Sequence, residues 1–433
     1  MVRVIAKDGT VLQPTNRHGK VRRLLRDRKA RVVSKEPFTI QLLYKTRRKK
    51  TQPIKVYFDT GSKYQGFGLV SNNKVISKGT IELRDGISEH ISQRRRYRRS
   101  RRHRKKRYRP PRFDNRKRKE GWLPPSIESK YQHIIHWIDK LTSYLPDYQL
   151  IVEIAKFDIQ AMDNPGIEGE GYQRGDLYGY ENTKQYMIHR EKGRCQLCGN
   201  PKGDDKWNLH HRSAKKGGGS DRAKNLALLH SICHRKFHNQ DLNDSDLTSL
   251  EAKSQRFKDA TFMNIIKNRL QKELKVYYDK QVHFTYGFIT NINRRMLDLE
   301  KTHYNDALAI HGLPVINKVK PLYIKQVRQK KRSLHEAVPR AGRGDKVNRE
   351  QVRRAKNSKS ITKNGKLFSL WDKVYVPKLK TTGFISGFSG KWVYLQDIDG
   401  KYLKLPGKSY KQMNPDQLEL VGRNNNWICK IAG

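Results

Sequence analysis

Residues 53–83 read PIKVYFDTGSKYQGFGLVSNNKVISKGTIEL. Apolar, β-branched and aromatic residues crowd this stretch, and Gly61–Ser62 and Asn72–Asn73 divide it into three short strands joined by turns. Asp59 is out of place there. It stands inside the apolar run VYFD, where a carboxylate is costly unless it is paired or holds a metal. Two more carboxylates have similar settings: Glu153 at the end of YQLIVEI (148–154), and Asp306 in HYNDALAIHG (303–312). Three such residues on separate core elements meet only if the fold gathers those elements. Gathered, they make an oxygen-rich site suited to magnesium or manganese. Two such ions about 4 Å apart position an attacking water and stabilise a leaving oxygen in phosphodiester hydrolysis. His303 lies one helical turn before Asp306, on the same side, as a proton shuttle or orienter. The plainer alternative puts Asp59 and Glu153 at surface strand ends and makes His303 an ordinary helix residue.

Around this stretch the chain alternates in character. Residues 1–52 form a small basic module in which VRVIA and FTIQLLY flank HGKVRRLLRDRKARVV, a short cationic helix. Ser126 is placed to cap a helix whose apolar positions are Ile127, Tyr131, Ile134, Ile138, Leu141 and Leu145. YQLIVEI reads as a buried strand, followed by a Gly-rich linker around 164–171. A helix (FMNIIKNRLQKEL) and a strand (VHFTYGFIT) come before HYNDALAIHG, whose small and apolar residues suit a buried helix. The stretch 318–365 is basic and loop-like, and the residues after it are short strands of a small β-barrel.

The charge is extreme: 93 Lys and Arg oppose 41 Asp and Glu, a formal +52 over 433 residues. From Arg94 to Arg109, twelve of sixteen residues are basic. A chain so charged needs a polyanion, and nucleic acid fits because each neutralised phosphate releases condensed salt. Arg favours helix, and Gly and Pro are absent until Pro110, so this run is expected to be a helix ordered by phosphates. No apolar run approaches the about 20 residues that span a bilayer. The N-terminus lacks a signal-peptide layout, so the expectation is a cytoplasmic protein without a membrane partner.

Three of the four cysteines cluster with histidines. Cys195 and Cys198, with His230 and Cys233, have the pair-of-pairs spacing of a closed, structural zinc site. Inside it lie His210, His211, Asn225, His234 and His238. His234 and His238, at i and i+4, chelate a divalent metal from one helix face, with His210 as third ligand. That leaves His211 as general base and Asn225 to hold its loop, while Gly217–Gly219 let backbone approach a phosphate. A zinc knuckle that only binds nucleic acid would need the four zinc ligands but not these other five residues.

These residues resemble the HNH nuclease pattern, and the three-part carboxylate set, with GFIT (287–290) before its third part, resembles a split RuvC-type nuclease. A RuvC domain interrupted by an arginine-rich helix and an HNH insertion is the layout of the IscB family, the transposon-encoded (OMEGA) RNA-guided nucleases, relatives of the type II CRISPR effectors. The resemblance covers nearly the whole chain. It implies an α/β multidomain fold: an RNase H-like (RuvC) split domain, an inserted ββα-metal HNH domain with zinc, a small N-terminal module and a C-terminal β-barrel-like domain. The divisions are 1–52, PLMP-like (although Leu12, Gln13, Pro14 and Thr15 depart from the motif that names it); 53–88, 122–171 and 249–317, RuvC parts one to three; and 89–121, bridge helix. The others are 172–248, HNH; 318–365, basic RNA-binding linker; and 366–433, the β domain reading a target-adjacent motif.

Carried over, the resemblance implies Asp59, Glu153, His303 and Asp306 as the RuvC site, with metal on the three carboxylates. It implies His211 as HNH base, Asn225 as orienter, and His210, His234 and His238 as ligands of magnesium or manganese. One structural zinc sits on Cys195, Cys198, His230 and Cys233, with His230 where the common form has cysteine. Arg94, Arg95, Arg96, Arg98, Arg99, Arg101, Arg102, Arg104, Arg107 and Arg109 bind RNA. The implied partners are a structured guide (omega) RNA and a double-stranded DNA target with a short flanking motif, the protein being monomeric in a ribonucleoprotein. The implied location is the prokaryotic cytoplasm, at the nucleoid when on DNA. HNH would cut the guide-paired strand and RuvC the displaced one. Too few residues separate Arg109 from Glu153 for a large helical recognition lobe, so RNA would supply that scaffold. The competing expectations are an unguided HNH homing or restriction endonuclease and a non-catalytic basic RNA-binding protein.

Overall fold

The computed structural model describes every residue except 36, 47–48, 85, 89, 93, 96–119, 165, 202, 204, 215–218, 240–241, 249–256, 328–359, 364, 408 and 432–433. Strands β1 (Val2–Ile5) and β2 (Val11–Thr15), helix α1 (His18–Arg26), and strands β3 (Ala30–Lys35) and β4 (Phe38–Leu42) build a module whose sheet order is β2-β1-β4-β3. The expected cationic helix stops at Arg26. Arg28 takes a left-handed φ of 53°, and the β-branched pair Val32–Val33 that follows joins β3 instead. Arg3 is buried and donates to the Leu141 carbonyl at 2.7 Å and to Ser143 Oγ at 3.0 Å. A cation thus meets a carbonyl that a helix C-terminus leaves unpaired.

The 53–83 stretch becomes the meander β5 (Ile54–Asp59), β6 (Tyr64–Ser71) and β7 (Lys74–Glu82). Asn72 and Asn73 have φ of 47° and 55°, the two left-handed residues that a tight hairpin requires. Helix α2 (Pro125–Thr142) buries Tyr131, Ile134, Ile138 and Leu141, as the spacing predicts. Ser126 is not its cap. The helix begins at Pro125, where the missing N–H costs nothing. Strand β8 (Tyr148–Ile154) then pairs in parallel with β5, setting Asp59 opposite Glu153.

The chain forms two units, Met1–Ala155 with Ile265–Gly433, and Lys156–Asn264. The second unit carries α3 (Ile159–Asp163), α4 (Thr183–Arg190), the antiparallel pair β9 (Trp207–His211) and β10 (Leu226–His230), and α5 (Ser231–Asn239). Its core gathers Met187, Trp207, Leu226, Leu228, Leu229 and Phe237.

Helix α6 (Lys258–Tyr278) leads back into the first unit. There its Glu273 and Tyr278 bond to Tyr131 and Asp139 of α2. Strand β11 (Val282–Tyr286) pairs in parallel with β8. The expected strand VHFTYGFIT ends at Tyr286. Helix α7 (Gly287–Met296) takes over at Gly287, where a side chain would press on Glu153 Oε1 at 3.0 Å. Helix α8 (His303–Ala309) follows, capped by Thr302, whose side chain accepts from the Asn305 N–H.

Strand β12 (Leu322–Gln326) pairs with β7. The C-terminal part has a hairpin of β13 (Ser360–Lys363) and β14 (Lys366–Ser369). Beside it is an antiparallel sheet, order β18-β17-β16-β15-β19, from β15 (Lys373–Val376), β16 (Thr381–Ser389), β17 (Trp392–Gln396), β18 (Gln412–Met413) and β19 (Glu419–Gly422). The last strand, β20 (Trp427–Ile431), pairs with β12 instead and completes the order β11-β8-β5-β6-β7-β12-β20. Two divisions therefore change. Residues 322–326 and 427–431, read as linker and as C-terminal domain, are strands of the central sheet, because their backbone partners lie far off in sequence. Buried Asp372 is structural: it accepts from Ser369 N–H at 2.8 Å and Asn424 N–H at 3.0 Å and pairs with Arg423 at 2.7 Å.

Candidate metal centres

The first centre lies at the middle of the long sheet. Asp59 and Glu153 are register partners on adjacent parallel strands, so their side chains leave the same face. Gly66, opposite Asp59 on β6, brings α8 onto that face, since a Cβ there would land on the His303 carbonyl oxygen. Asp59, His303 and Asp306 thereby offer ligand atoms all within 4.8 Å of one another. His303 Nδ1 is 3.6 Å from Asp59 Oδ2, and its ring stacks on Tyr64 at 5.2 Å and 24°. Thr60 Oγ1 donates to the Glu153 carbonyl at 2.7 Å and ties the two strand ends together.

Burial, then the Asp59 charge, raises the Glu153 pKa to about 7, against an opposing effect of Thr290. Burial and Asp59 also raise Asp306, and Arg294 opposes them with Nε 2.9 Å from Oδ1. Glu153 and Asp306, raised by burial and by the Asp59 charge, are short of positive charge. A divalent cation fits the group of Asp59, His303 and Asp306, with Glu153 beside it and outside the 4.8 Å set. Arg294, Thr290 and Tyr64 were not among the expected residues. The i, i+3, i+7 spacing of Gly287, Thr290 and Arg294 on one face of α7 is the signal that could have shown the first two.

The second centre is in the other unit. Register sets His210 opposite Ala227 and His211 opposite Leu226, with α5 following β10 directly. His210, His234 and His238 offer ligand atoms within 4.8 Å, and the Nε2 atoms of His234 and His238 are 3.3 Å apart. Burial first, and then His234 and His238, lower the His210 pKa to about 4. Burial and His238 lower His234 as well. Three imidazoles with converging nitrogens, two of them pushed toward the neutral form, are the donor set a divalent metal takes.

His211 points elsewhere. Its Nε2 donates to Asp221 Oδ1 at 2.7 Å, which leaves Nδ1 with its lone pair. Asn225, buried, accepts from Ser213 N–H at 3.0 Å and donates to the Ser213 and Ser220 carbonyls at 3.2 and 2.8 Å. It closes the loop between β9 and β10. Gly217 and Gly218 lie outside the described residues. Gly219 packs against that closure, its missing Cβ making room for the Ser213 carbonyl. Asp221 was unforeseen; a lone acid in a basic, Gly-rich loop was its only signal.

Cys195, Cys198, His230 and Cys233 offer ligand atoms within 4.8 Å, and none is in a disulfide. His230 stacks on Trp207 at 4.6 Å and 19°, and its buried Nε2 lacks a hydrogen-bond partner. Burial raises the Cys195 thiol, but the backbone N–H groups of Cys198, His230 and Leu197 outweigh it and lower its pKa. Burial, with Cys198 and Cys195 close by, pushes Cys233 up to about 12. Thiols crowded with an imidazole fit zinc, which binds them as thiolates. Of the arginine run, Arg94 and Arg95 are helical and exposed, and Arg96 to Arg109 lie outside the described residues.

Residues 2–175 match the family described as RRXRR protein, and residues 195–240 match HNH endonuclease. The chain carries an RRXRR-type region and, after it, an HNH endonuclease domain. The HNH match contains the zinc-type cluster, His210, His211, Asn225, His234 and His238, and HNH endonucleases are metal-dependent hydrolases. Among curated proteins none matches this chain significantly. Similar solved structures include the Streptococcus thermophilus Cas9 in complex with the GGAA PAM, at 16% identity and TM-score 0.34, covering 49% of this chain and 29% of that one. The same enzyme with the AGGA PAM gives 13% and 0.32, covering 65% and 40%. The type II-C Cas9 from Actinomyces naeslundii gives 10% and 0.23, covering 60% and 60%. This chain thus spans less than two thirds of each of these proteins. Among its described residues no helix is long and apolar enough to cross a membrane.

Proposed function

We propose that the chain is an IscB-type, RNA-guided endonuclease that cuts both strands of a DNA duplex. The His211 centre takes the guide-paired strand and the Asp59 centre the displaced strand. The observation that carries this reading is the pair of separately built centres, one oxygen-rich and one imidazole-rich, in different units of one strongly basic chain. An unguided endonuclease needs only the second, and a binding protein needs neither.

Magnesium or manganese, bound at each centre, supplies Lewis-acid polarisation of the scissile phosphate and a more acidic water. The protein's own groups do the rest. His211 Nδ1 takes the proton of the attacking water while Asp221 holds Nε2–H, and Asn225 keeps the loop in place. His234, His238 and His210 hold the cation, and the Cys/His knuckle fixes the turn from β10 into α5. At the other centre Asp59, Glu153 and Asp306 concentrate the negative charge that selects a divalent ion. His303, steadied on Tyr64, is placed to shuttle the proton. Base pairing with a bound RNA would select the target, and the sheet of β15–β19 would read a short flanking motif.

A strand-labelled duplex tests the division. With the RNA bound, His211→Ala should nick only the displaced strand and Asp59→Ala only the guide-paired strand. Each should lose about 10²- to 10⁴-fold in rate on its own strand. Site-selective cutting by RNase-treated protein would refute guidance. One variant that stops both cuts would refute the division.

A further inference from the structure

Where α2 meets the last strand, β20, lies an open cleft of about 1150 Å³. None of its lining residues belongs to either centre, and its floor is aromatic. Trp427 stands nearly perpendicular to Trp137, with centroids 4.9 Å apart at 84°, and to His133, 5.4 Å apart at 90°. The His136 ring runs parallel to it, 6.3 Å away at 8°. Trp427 is only half-buried and His136 is exposed, so the cluster presents a platform to solvent.

The platform is braced by a side-chain amide. Gln326 donates from Nε2 to His133 Nε2 and accepts the Arg84 N–H on Oε1 at 3.0 Å. The first bond needs an unprotonated Nε2. Burial, then the charges of His136 and Arg84, lower the His133 pKa to about 4 and keep it so.

The rim has a different chemistry. Arg84 and Lys140 bring positive charge, and Gln132, Asn425 and Asn426 bring amides that both donate and accept. The carboxylate of Asp139, also on the rim, accepts the Tyr278 hydroxyl. Flat rings, amides and cations together suit an unpaired nucleobase and its phosphate, since bases stack on aromatic faces and show hydrogen-bonding edges. Placement names the source. Arg84 stands where the chain leaves β7 for the arginine-rich run, and α2 is the helix after it, so both flanks of the run line the cleft. The run links these two flanks in sequence, which makes the polyanion it gathers the occupant to assign to the cleft.

We propose that the cleft takes one unpaired nucleobase of the bound RNA, stacked on Trp427 beside His136, its phosphate against Arg84 and Lys140. The occupant rests on the RNA-guided reading above; the platform does not.

The test probes the RNA that co-purifies with the full chain, base by base, with dimethyl sulfate and a carbodiimide. One unpaired nucleotide should be protected in the native protein. It should become about 5- to 100-fold more accessible in Trp427→Ala and in His136→Ala, and stay protected in Trp427→Phe. His136 is exposed, so its variant keeps the fold if Trp427→Ala does not, and thermal unfolding run in parallel distinguishes the two. RNA that stays bound with the same footprint in His136→Ala and in a folded Trp427→Ala would overturn the cleft assignment and leave the guided reading intact. Protection of a DNA base in place of an RNA base would overturn the RNA assignment. A protein that carries no RNA would overturn both readings.

Discussion

Glu153 has its pKa raised from its ordinary 4.5 to about 7 by burial and by Asp59. The folded, metal-free protein therefore holds a proton there that the unfolded chain gives up. Its contribution to stability is fully present below about pH 4.5 and is lost as pH rises through 7. Without divalent metal, melting of the first unit should move to lower temperature between about pH 5 and 8, and magnesium should restore it. Glu153→Gln should remove most of that pH dependence and melt higher than the native protein at pH 8 without metal, while cutting of the displaced strand disappears. Scanning fluorimetry checks this, and an unchanged pH dependence in the variant would place the effect elsewhere. On the proposed reading Asp221, bonded to His211, acts through it rather than on the substrate. Asp221→Asn should lower kcat on the guide-paired strand about 10- to 100-fold with KM unchanged, because it disturbs the tautomer and aim of the base. A change confined to KM would make Asp221 a DNA contact.

At the scale of elements, the first centre depends on how closely α8 can approach β6. Gly66 allows that approach, and a methyl group there meets backbone, which cannot rotate away. Gly66→Ala should cost about 1–3 kcal/mol of stability by overpacking and shift His303 and Asp306 off the sheet. Displaced-strand cutting should fall by more than tenfold while the guide-paired strand is still cut, as gel assays of end-labelled duplex would read. The HNH unit uses a different device. Around its two short strands, Asn225 closes the loop by side-chain hydrogen bonds and the Cys/His cluster joins β10 and α5 to Cys195 and Cys198. Those ligand spacings are local and were readable from residue order. The end of VHFTYGFIT as a strand was not, because so short an apolar run suits strand and helix alike until packing decides.

Over the whole molecule, +52 is a statement about partners. If RNA phosphates neutralise that charge, affinity for RNA should fall at least about a thousandfold between 50 and 200 mM salt. Filter binding across that range is the check, and a shallow slope would mean that stacking and shape hold the complex instead. The chain's own residue order determined the chemistry on offer: carboxylates inside apolar runs, histidines at i and i+4, a four-ligand cluster and an arginine run. Each of these is a matter of composition or short spacing, set by the period of one helix or strand. Tertiary structure alone decided that Asp59 faces Glu153, that Arg294 pairs with Asp306 and that Asp221 holds His211. It also decided that β12 and β20 close the central sheet and bring Trp427 onto α2. Each of these is a meeting of residues from different elements or across a loop. Strand order, register and loop closure create them, and local periodicity carries no record of which strand will lie beside which.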